Sequence, residues 1–145
     1  MSAKSINYMK MTALTRLSAM LFLATFGLAM AAAAADLPPA STKQGVTYAA
    51  DIKPIFENSC VKCHSGDKPK ARLRLDSLEN ALKGSKDGKV ITVGDSAKSL
   101  MVKCVAHATS DSDMWMPPPH NKAGIGPLTP EQIGLLRAWI DQGAK

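Results

Sequence analysis

Apolar residues recur at helical spacing in only a few short stretches of this chain, and segments rich in proline, glycine or charge separate them. The first stretch covers residues 48–59, and its apolar residues lie on one helix face: Ile52, Ile55 and Phe56. Proline breaks a helix interior but is tolerated in the first turn. Pro54 therefore predicts a helix that begins near Asp51.

The middle of the chain predicts two more short helices. Leu78 and Leu82 belong to a helix that Asp76 or Ser77 caps and Gly84 ends. Brief extended pieces are predicted over residues 73–75 and 90–93. The sequence of residues 94–96 predicts the start of another helix, with an apolar face that includes Leu100 and Cys104. Residues 110–126, with three consecutive prolines, predict little regular structure.

The last helix has the clearest sequence signals. Thr129 is a good N-cap, Pro130 suits the first helical position, and Gln132 stands at the capping-box position. Gly143 is expected to close the helix. Its apolar face consists of Ile133, Leu136 and Ile140, with Leu135 and Trp139 beside it.

Residues 1–35 have the pattern of a secretory signal peptide. Three basic residues precede an uncharged run, Leu17–Ala35, which ends in alanines before Asp36. We expect cleavage near Ala35, so that the mature protein is periplasmic. An uncleaved membrane anchor is the alternative, because the run approaches spanning length. Residues 36–46 predict a flexible lead-in, and residues 47–145 one domain.

The mature chain would carry fifteen basic and twelve acidic residues, a net charge of +3, against +6 for the whole chain. This mild excess argues against nucleic-acid binding. The mature part has only four aromatic residues, which is few for a core: Tyr48, Phe56, Trp115 and Trp139. A covalently held cofactor would supply the missing apolar mass.

Cys60, Cys63 and His64 form a C-x-x-C-H sequence, the attachment motif for c-type haem. The two thiols add across the porphyrin vinyl groups, and the histidine then reaches the iron from the proximal side. A thioredoxin-like dithiol would require a preceding buried strand, which the sequence lacks. A structural zinc site would require a second ligand pair. The remaining candidates for that pair are irregularly spaced: Cys104, His107 and His120.

Met116 is the best candidate for the second axial ligand, because a thioether opposite histidine suits an electron-transfer iron. The three prolines that follow it stiffen the segment and leave the sulfur little conformational freedom to lose. A core-filling role for this methionine is the alternative. The other possible ligands are Met114, Met101, His107 and His120. The two histidines are expected to face solvent when they bind no iron.

These residues resemble the planctomycete-type cytochrome c domain over about residues 47–144. The resemblance is carried by residues 51–55, 60–64, 73–76, 94–95, 99–100, 116–118, 128–131 and 139–143. It implies an all-α class I cytochrome c fold, in which short helices and loops surround one haem c and the N- and C-terminal helices cross beside it. It also implies Cys60 and Cys63 as the thioether sites, His64 as proximal ligand and Met116 as distal ligand.

We expect a periplasmic electron carrier without catalytic residues. The basic stretch of Lys62, Lys68, Lys70 and Arg72 would steer acidic redox partner proteins, although an ordinary solvated surface explains it as well. No nucleic acid and no stable membrane insertion are expected after signal removal. The alternatives are a peroxidase-like enzyme and a gas-binding sensor, both with a labile sixth ligand. Cys104 is either a buried small side chain or the link of a disulfide dimer.

Overall fold

The computed structural model describes residues 37–145, and the predicted signal peptide over residues 1–35 lies outside them. Its four α-helices are α1 (Lys53–Ser59), α2 (Leu78–Lys83), α3 (Leu100–Val105) and α4 (Pro130–Asp141). A π-helical turn, Tyr48–Ile52, leads into α1, and 3₁₀ turns cover Lys70–Arg72 and Ser112–Met114. The described part of the chain contains no β-strand, only an isolated bridge between Ser85 and Gly88. The predicted all-α class is confirmed.

Both ends of the domain form as the sequence predicts. Pro54 lies in the first turn of α1, where its missing N–H removes no helical hydrogen bond. At α4 the capping box is complete: the Thr129 hydroxyl accepts from the Gln132 N–H at 3.3 Å, and the Gln132 side chain accepts from the Thr129 N–H at 2.9 Å. Of the two predicted N-cap candidates for α2, Asp76 and Ser77, the structure has Ser77 in that position. Its hydroxyl accepts from the Asn80 N–H at 3.2 Å.

The core lies where the first and last helical segments meet. Tyr48, Phe56 and Trp139 form an aromatic cluster with ring centroids 6.0–6.3 Å apart. Besides Phe56 and Trp139, the hydrophobic residues with less than 2 % exposure in this core are aliphatic: Ile52, Leu136, Ile140, Val102 and Ala81. The crossing of these two segments sets the end of α1, and therefore the start of the cysteine motif.

The helix predicted from residues 94–96 begins later than expected. This segment forms turns, and α3 starts only at Leu100. The reason is that the polar groups of Ser96 are bonded to the last helix instead of capping a local one. The Asp141 carboxylate accepts from the Ser96 N–H at 2.7 Å and from the Ser96 hydroxyl at 2.9 Å. The predicted apolar face was also wrong, because Leu100 is 37 % exposed and Cys104 is half-buried. The buried face of α3 consists of Met101, Val102 and Val105.

The segment that precedes the domain packs along α4. The Ser41 N–H donates to the Gly134 carbonyl at 2.8 Å. The Gln142 side chain accepts from the Val46 N–H at 3.1 Å and donates to the Lys43 carbonyl at 2.8 Å. Prolines and serines suggest a flexible lead-in, but composition alone cannot show that a distant helix offers partners for its backbone.

Candidate haem-binding site

The C-x-x-C-H motif forms a tight turn directly after α1. The Phe56 carbonyl, near the end of the helix, accepts from the N–H groups of Cys60 and Val61 at 2.8 and 2.9 Å. The Cys60 carbonyl then accepts from the N–H groups of Cys63 and His64 at 3.1 and 3.0 Å. These bonds hold both thiols and the imidazole on one short segment whose position is set by the buried Phe56 ring.

The two motif cysteines occupy different environments. Cys60 packs against the hydrophobic core, whereas Cys63 is exposed, and neither forms a disulfide. Burial, with a smaller contribution from neighbouring Cys63, raises the pKa of the Cys60 thiol to about 12. Cys60 is therefore a neutral thiol at physiological pH, one that faces the interior beside the exposed Cys63.

His64 is 9 % exposed, and its Nδ1 atom is buried without a hydrogen-bond partner among residues 37–145. Burial lowers the pKa of this imidazole, against the opposite effect of backbone groups of Leu73 and Lys70. The ring is held in place through its backbone, because the Leu75 N–H donates to the His64 carbonyl at 2.8 Å. A neutral, buried imidazole is the form that ligates iron.

Met116 is positioned by the end of α3. Its N–H donates to the Cys104 carbonyl at 3.0 Å, and its side chain is half-buried against the same core that Cys60 contacts. The peptide bond between Met116 and Pro117 is cis. Met114 lies in the preceding 3₁₀ turn. The structure thus brings Cys60, Cys63 and His64 together on one segment and packs Met116 against the same hydrophobic core as Cys60.

These residues fit a haem group. Two unpaired thiols stand beside a buried imidazole with an unpartnered nitrogen, and a thioether lies at the core edge. Imidazole and thioether are the axial donors of electron-transfer haem iron. The zinc alternative lacks support, because residues 37–145 contain no cluster of three metal-binding His, Cys, Asp or Glu side chains. The dithiol alternative lacks its strand, since no strand precedes Cys60 in the described residues.

The basic stretch next to the motif is a surface feature. Lys62, Lys68, Lys70 and Arg72 are all exposed, and within the described residues none of them forms a salt bridge. An open cavity of about 590 Å³ borders this stretch and is lined by Gly66, Asp67, Lys68, Pro69, Arg72 and Arg74.

Sequence reasoning missed one arrangement near Met116. His120 is exposed as expected, but His107 is half-buried, and its ring stacks on Trp115 with centroids 4.8 Å apart and planes 3° apart. Cys104 is half-buried and free of any disulfide, and burial raises the pKa of its thiol. No spacing in the sequence indicates the stacked pair, because a turn of the chain between α3 and residue 115 creates it.

Residues 60–120 match the family model described as Planctomycete cytochrome C. The matched segment starts at Cys60 and ends beyond Met116, and it confirms the predicted resemblance over that range. No curated protein and no solved structure matches the chain. The match supports a haem-binding c-type cytochrome, and it favours electron transfer over catalysis. Cytochrome c domains of this type are typically exported. Among residues 37–145, no helix has both the length and the apolarity needed to cross a membrane.

Proposed function

We propose that this haem-binding c-type cytochrome is a periplasmic electron carrier with one haem c, attached through Cys60 and Cys63 and ligated by His64 and Met116. The observation that carries the proposal is the motif turn at the end of α1, where a buried imidazole follows two unpaired thiols. When bound, the haem supplies a one-electron ferric–ferrous couple. His64 and Met116 would hold the iron, and with both ligands bound the iron would be kept from substrates.

His64 serves as the proximal ligand because its ring is buried and its backbone is fixed on both sides by hydrogen bonds from Leu75 and to Cys60. Met116 serves as the distal ligand from a segment that the end of α3 and three prolines hold. As the sixth ligand, Met116 would keep the iron closed to peroxide or gases. This arrangement favours the carrier over the peroxidase-like enzyme and the sensor.

The partner proteins are proposed to be acidic. The exposed ammonium and guanidinium groups of Lys62, Lys68, Lys70 and Arg72 have no intramolecular carboxylate partner among the described residues, so their charge is available to an incoming protein. Lys62 stands between the two thioether sites, which places this charge beside the cofactor. Complementary charge raises association rates more than it raises affinity.

The attachment is tested by the mass of the exported protein. The mature chain should exceed its peptide mass by one haem, and the double variant Cys60→Ala/Cys63→Ala should not. The N-terminal residue of the periplasmic fraction gives the cleavage site. A mature chain with peptide mass alone, made with the full maturation machinery, would exclude covalent haem.

The distal ligand is tested by the ferric absorption spectrum. Wild-type protein should be low-spin and show the weak near-infrared sulfur-to-iron band. Met116→Ala should lose that band, and the matched variant Met114→Ala should keep it. A high-spin wild-type spectrum would favour the enzyme or sensor, and a band that survives in Met116→Ala would move the ligand elsewhere.

Steering is tested by electron-transfer rates with an acidic acceptor. Lys62→Glu should slow the second-order rate several-fold at low ionic strength, and the difference should vanish at high salt. Lys98→Glu is the control, because Lys98 lies outside the basic stretch and is paired with Asp95 at 2.8 Å. A flat salt profile for the wild type would rule out steering.

A further inference from the structure

The end of α3 carries a histidine at a backbone position that glycine usually takes. The Ala108 N–H donates to the Lys103 carbonyl at 2.8 Å, and the His107 N–H donates to the Cys104 carbonyl at 3.2 Å. These two bonds form a Schellman motif with His107 as its left-handed residue, at φ 53°. A side chain in this conformation is strained, and the surrounding structure has to offset that strain.

Among the described residues, the imidazole of His107 has no hydrogen-bond partner. Its Nε2 atom is buried and has no partner within residues 37–145. The interaction that the structure does show is the face-to-face stack on Trp115. The indole of Trp115 is also held by a hydrogen bond, since its Nε1–H donates to the Thr109 carbonyl at 3.3 Å. The histidine ring is therefore placed to hold an indole.

The same helix end also holds Met116. The Cys104 carbonyl accepts the His107 N–H at 3.2 Å and the Met116 N–H at 3.0 Å, so one oxygen joins the start of the stack to the methionine backbone. Trp115 directly precedes Met116 in the chain. The stack and the shared carbonyl thus fix Trp115 and Met116 from the same point of α3.

We infer that His107 is a positioning residue for the sixth iron ligand: by stacking on Trp115 it clamps the backbone that presents the Met116 sulfur. The inference rests on the proposed ligation by Met116. Holding this segment in place before the sulfur meets the iron lowers the entropy cost of the bond. Loss of the clamp leaves the chain folded but makes the sulfur easier to displace.

The experiment compares His107→Gly with His120→Gly in the holoprotein. Both histidines have left-handed backbones, at φ 53° and 59°, but His120 is exposed. The readouts are the sulfur-to-iron band, the affinity of the ferric protein for added imidazole, and the thermal unfolding midpoint. Glycine relieves the backbone strain, so the midpoint of His107→Gly should equal or exceed that of the wild type.

We expect imidazole to bind about fivefold more tightly to His107→Gly, the change that loss of one aromatic stack would produce, with a weaker band. His120→Gly should match the wild type. An unchanged imidazole affinity in His107→Gly, or an equal increase in both variants, would overturn the inference. Should His107→Gly fail to accumulate, His107→Asn tests the same loss, because asparagine tolerates the left-handed region.

The two proposals fail in different ways. A wild-type protein without the sulfur-to-iron band, or with a band that Met116→Ala retains, refutes ligation by Met116 and the inference with it. A wild-type band that disappears in Met116→Ala, combined with wild-type imidazole affinity in His107→Gly, overturns the positioning role alone.

Discussion

The Phe56 and Trp139 rings meet edge to face, with centroids 6.3 Å apart and planes at 90°. Phe56 lies in α1 and Trp139 in α4, so this contact joins the first and last helices. The carbonyl of the same Phe56 accepts the first hydrogen bonds of the cysteine motif. The crossing of two helices far apart in sequence therefore determines where the motif lies.

Trp139→Ala should destabilise the fold by about 3–5 kcal/mol, the usual range for removing a buried aromatic side chain. Trp139 is fully buried, and its Nε1–H donates to the Lys145 carbonyl at 3.0 Å. Trp139→Phe keeps a ring but loses that bond, and should cost about 1–2 kcal/mol. Denaturant unfolding measures both. Val93→Ala, at a residue 54 % exposed, is the control. A Trp139→Ala protein that is as stable as Val93→Ala would contradict the prediction.

Gly134→Ala should loosen the segment over residues 37–46. A Cβ atom at this position would lie 2.7 Å from the Pro39 carbonyl oxygen, closer than van der Waals contact allows. Alanine ordinarily stabilises a helix interior by about 1 kcal/mol relative to glycine. We expect instead a net loss of about 1 kcal/mol, because the clash outweighs that gain.

The measurement that locates this effect is amide exchange at Ser41, whose N–H donates to the Gly134 carbonyl. Its protection should fall in Gly134→Ala and stay unchanged in Gly126→Ala, where an added Cβ meets no atom within 4 Å. A more stable Gly134→Ala with full Ser41 protection would show that the segment does not pack closely on α4.

Ser96→Ala should cost about 1–3 kcal/mol, because it removes two hydrogen bonds between a buried hydroxyl and charged side chains. The Ser96 hydroxyl donates to Asp141 at 2.9 Å and accepts from the Arg137 Nε–H at 3.1 Å. Ser110→Ala, at an exposed serine, should change stability by less than about 0.5 kcal/mol. A double-mutant cycle with Asp141→Asn should show coupling of about 0.5 kcal/mol or more, and additive effects would contradict a shared network.

Asp51→Asn should remove a contribution to stability that depends on pH. Asp51 accepts from the Thr47 N–H at 3.0 Å and pairs with the Lys43 ammonium. The hydrogen bond from Lys43, then that from Thr47, lowers the pKa of this carboxyl below its usual 3.8. A lowered pKa means that the folded state favours the ionised form, so the stabilisation is present above pH 3.8 and is lost as the pH falls through the folded-state value.

The wild type should therefore exceed Asp51→Asn in unfolding free energy at pH 7, and the difference should shrink below pH 4. Glu57→Gln is the control, since Glu57 and Lys53 are 3.7 Å apart and both more than half exposed. An unchanged difference between the two proteins from pH 7 to pH 2 would contradict the assignment of this effect to the Asp51 carboxylate.

Local signals predicted the ends of the domain better than its middle. The capping residues of α4 and the place of Pro54 in α1 act within one helical turn, so the sequence contains all the atoms involved. Residues 94–96 carry similar helix-start signals, but Asp141 captures the groups of Ser96 from 45 residues away. A distant partner of this kind leaves no trace in local spacing.

The candidate site likewise contains residues that local sequence predicted and a contact that it did not. Cys60, Cys63 and His64 were predicted from five consecutive residues, because the chemistry of haem attachment requires that spacing. The stack of His107 on Trp115 was not predicted, and His107 was expected to face solvent. Its cause is the left-handed turn at the end of α3, a conformation in which a histidine gives no sequence signal of its own.

The sequence by itself determined the C-x-x-C-H spacing from which haem attachment is proposed, and it determined the helix class, since thiol spacing, capping residues and apolar periodicity all act between near neighbours. Only the tertiary structure decided which groups surround the methionine segment, what holds residues 37–46, and how deeply the imidazole of His64 is buried. These depend on contacts between segments separated by tens of residues, and the packing that creates such contacts is a property of the whole fold.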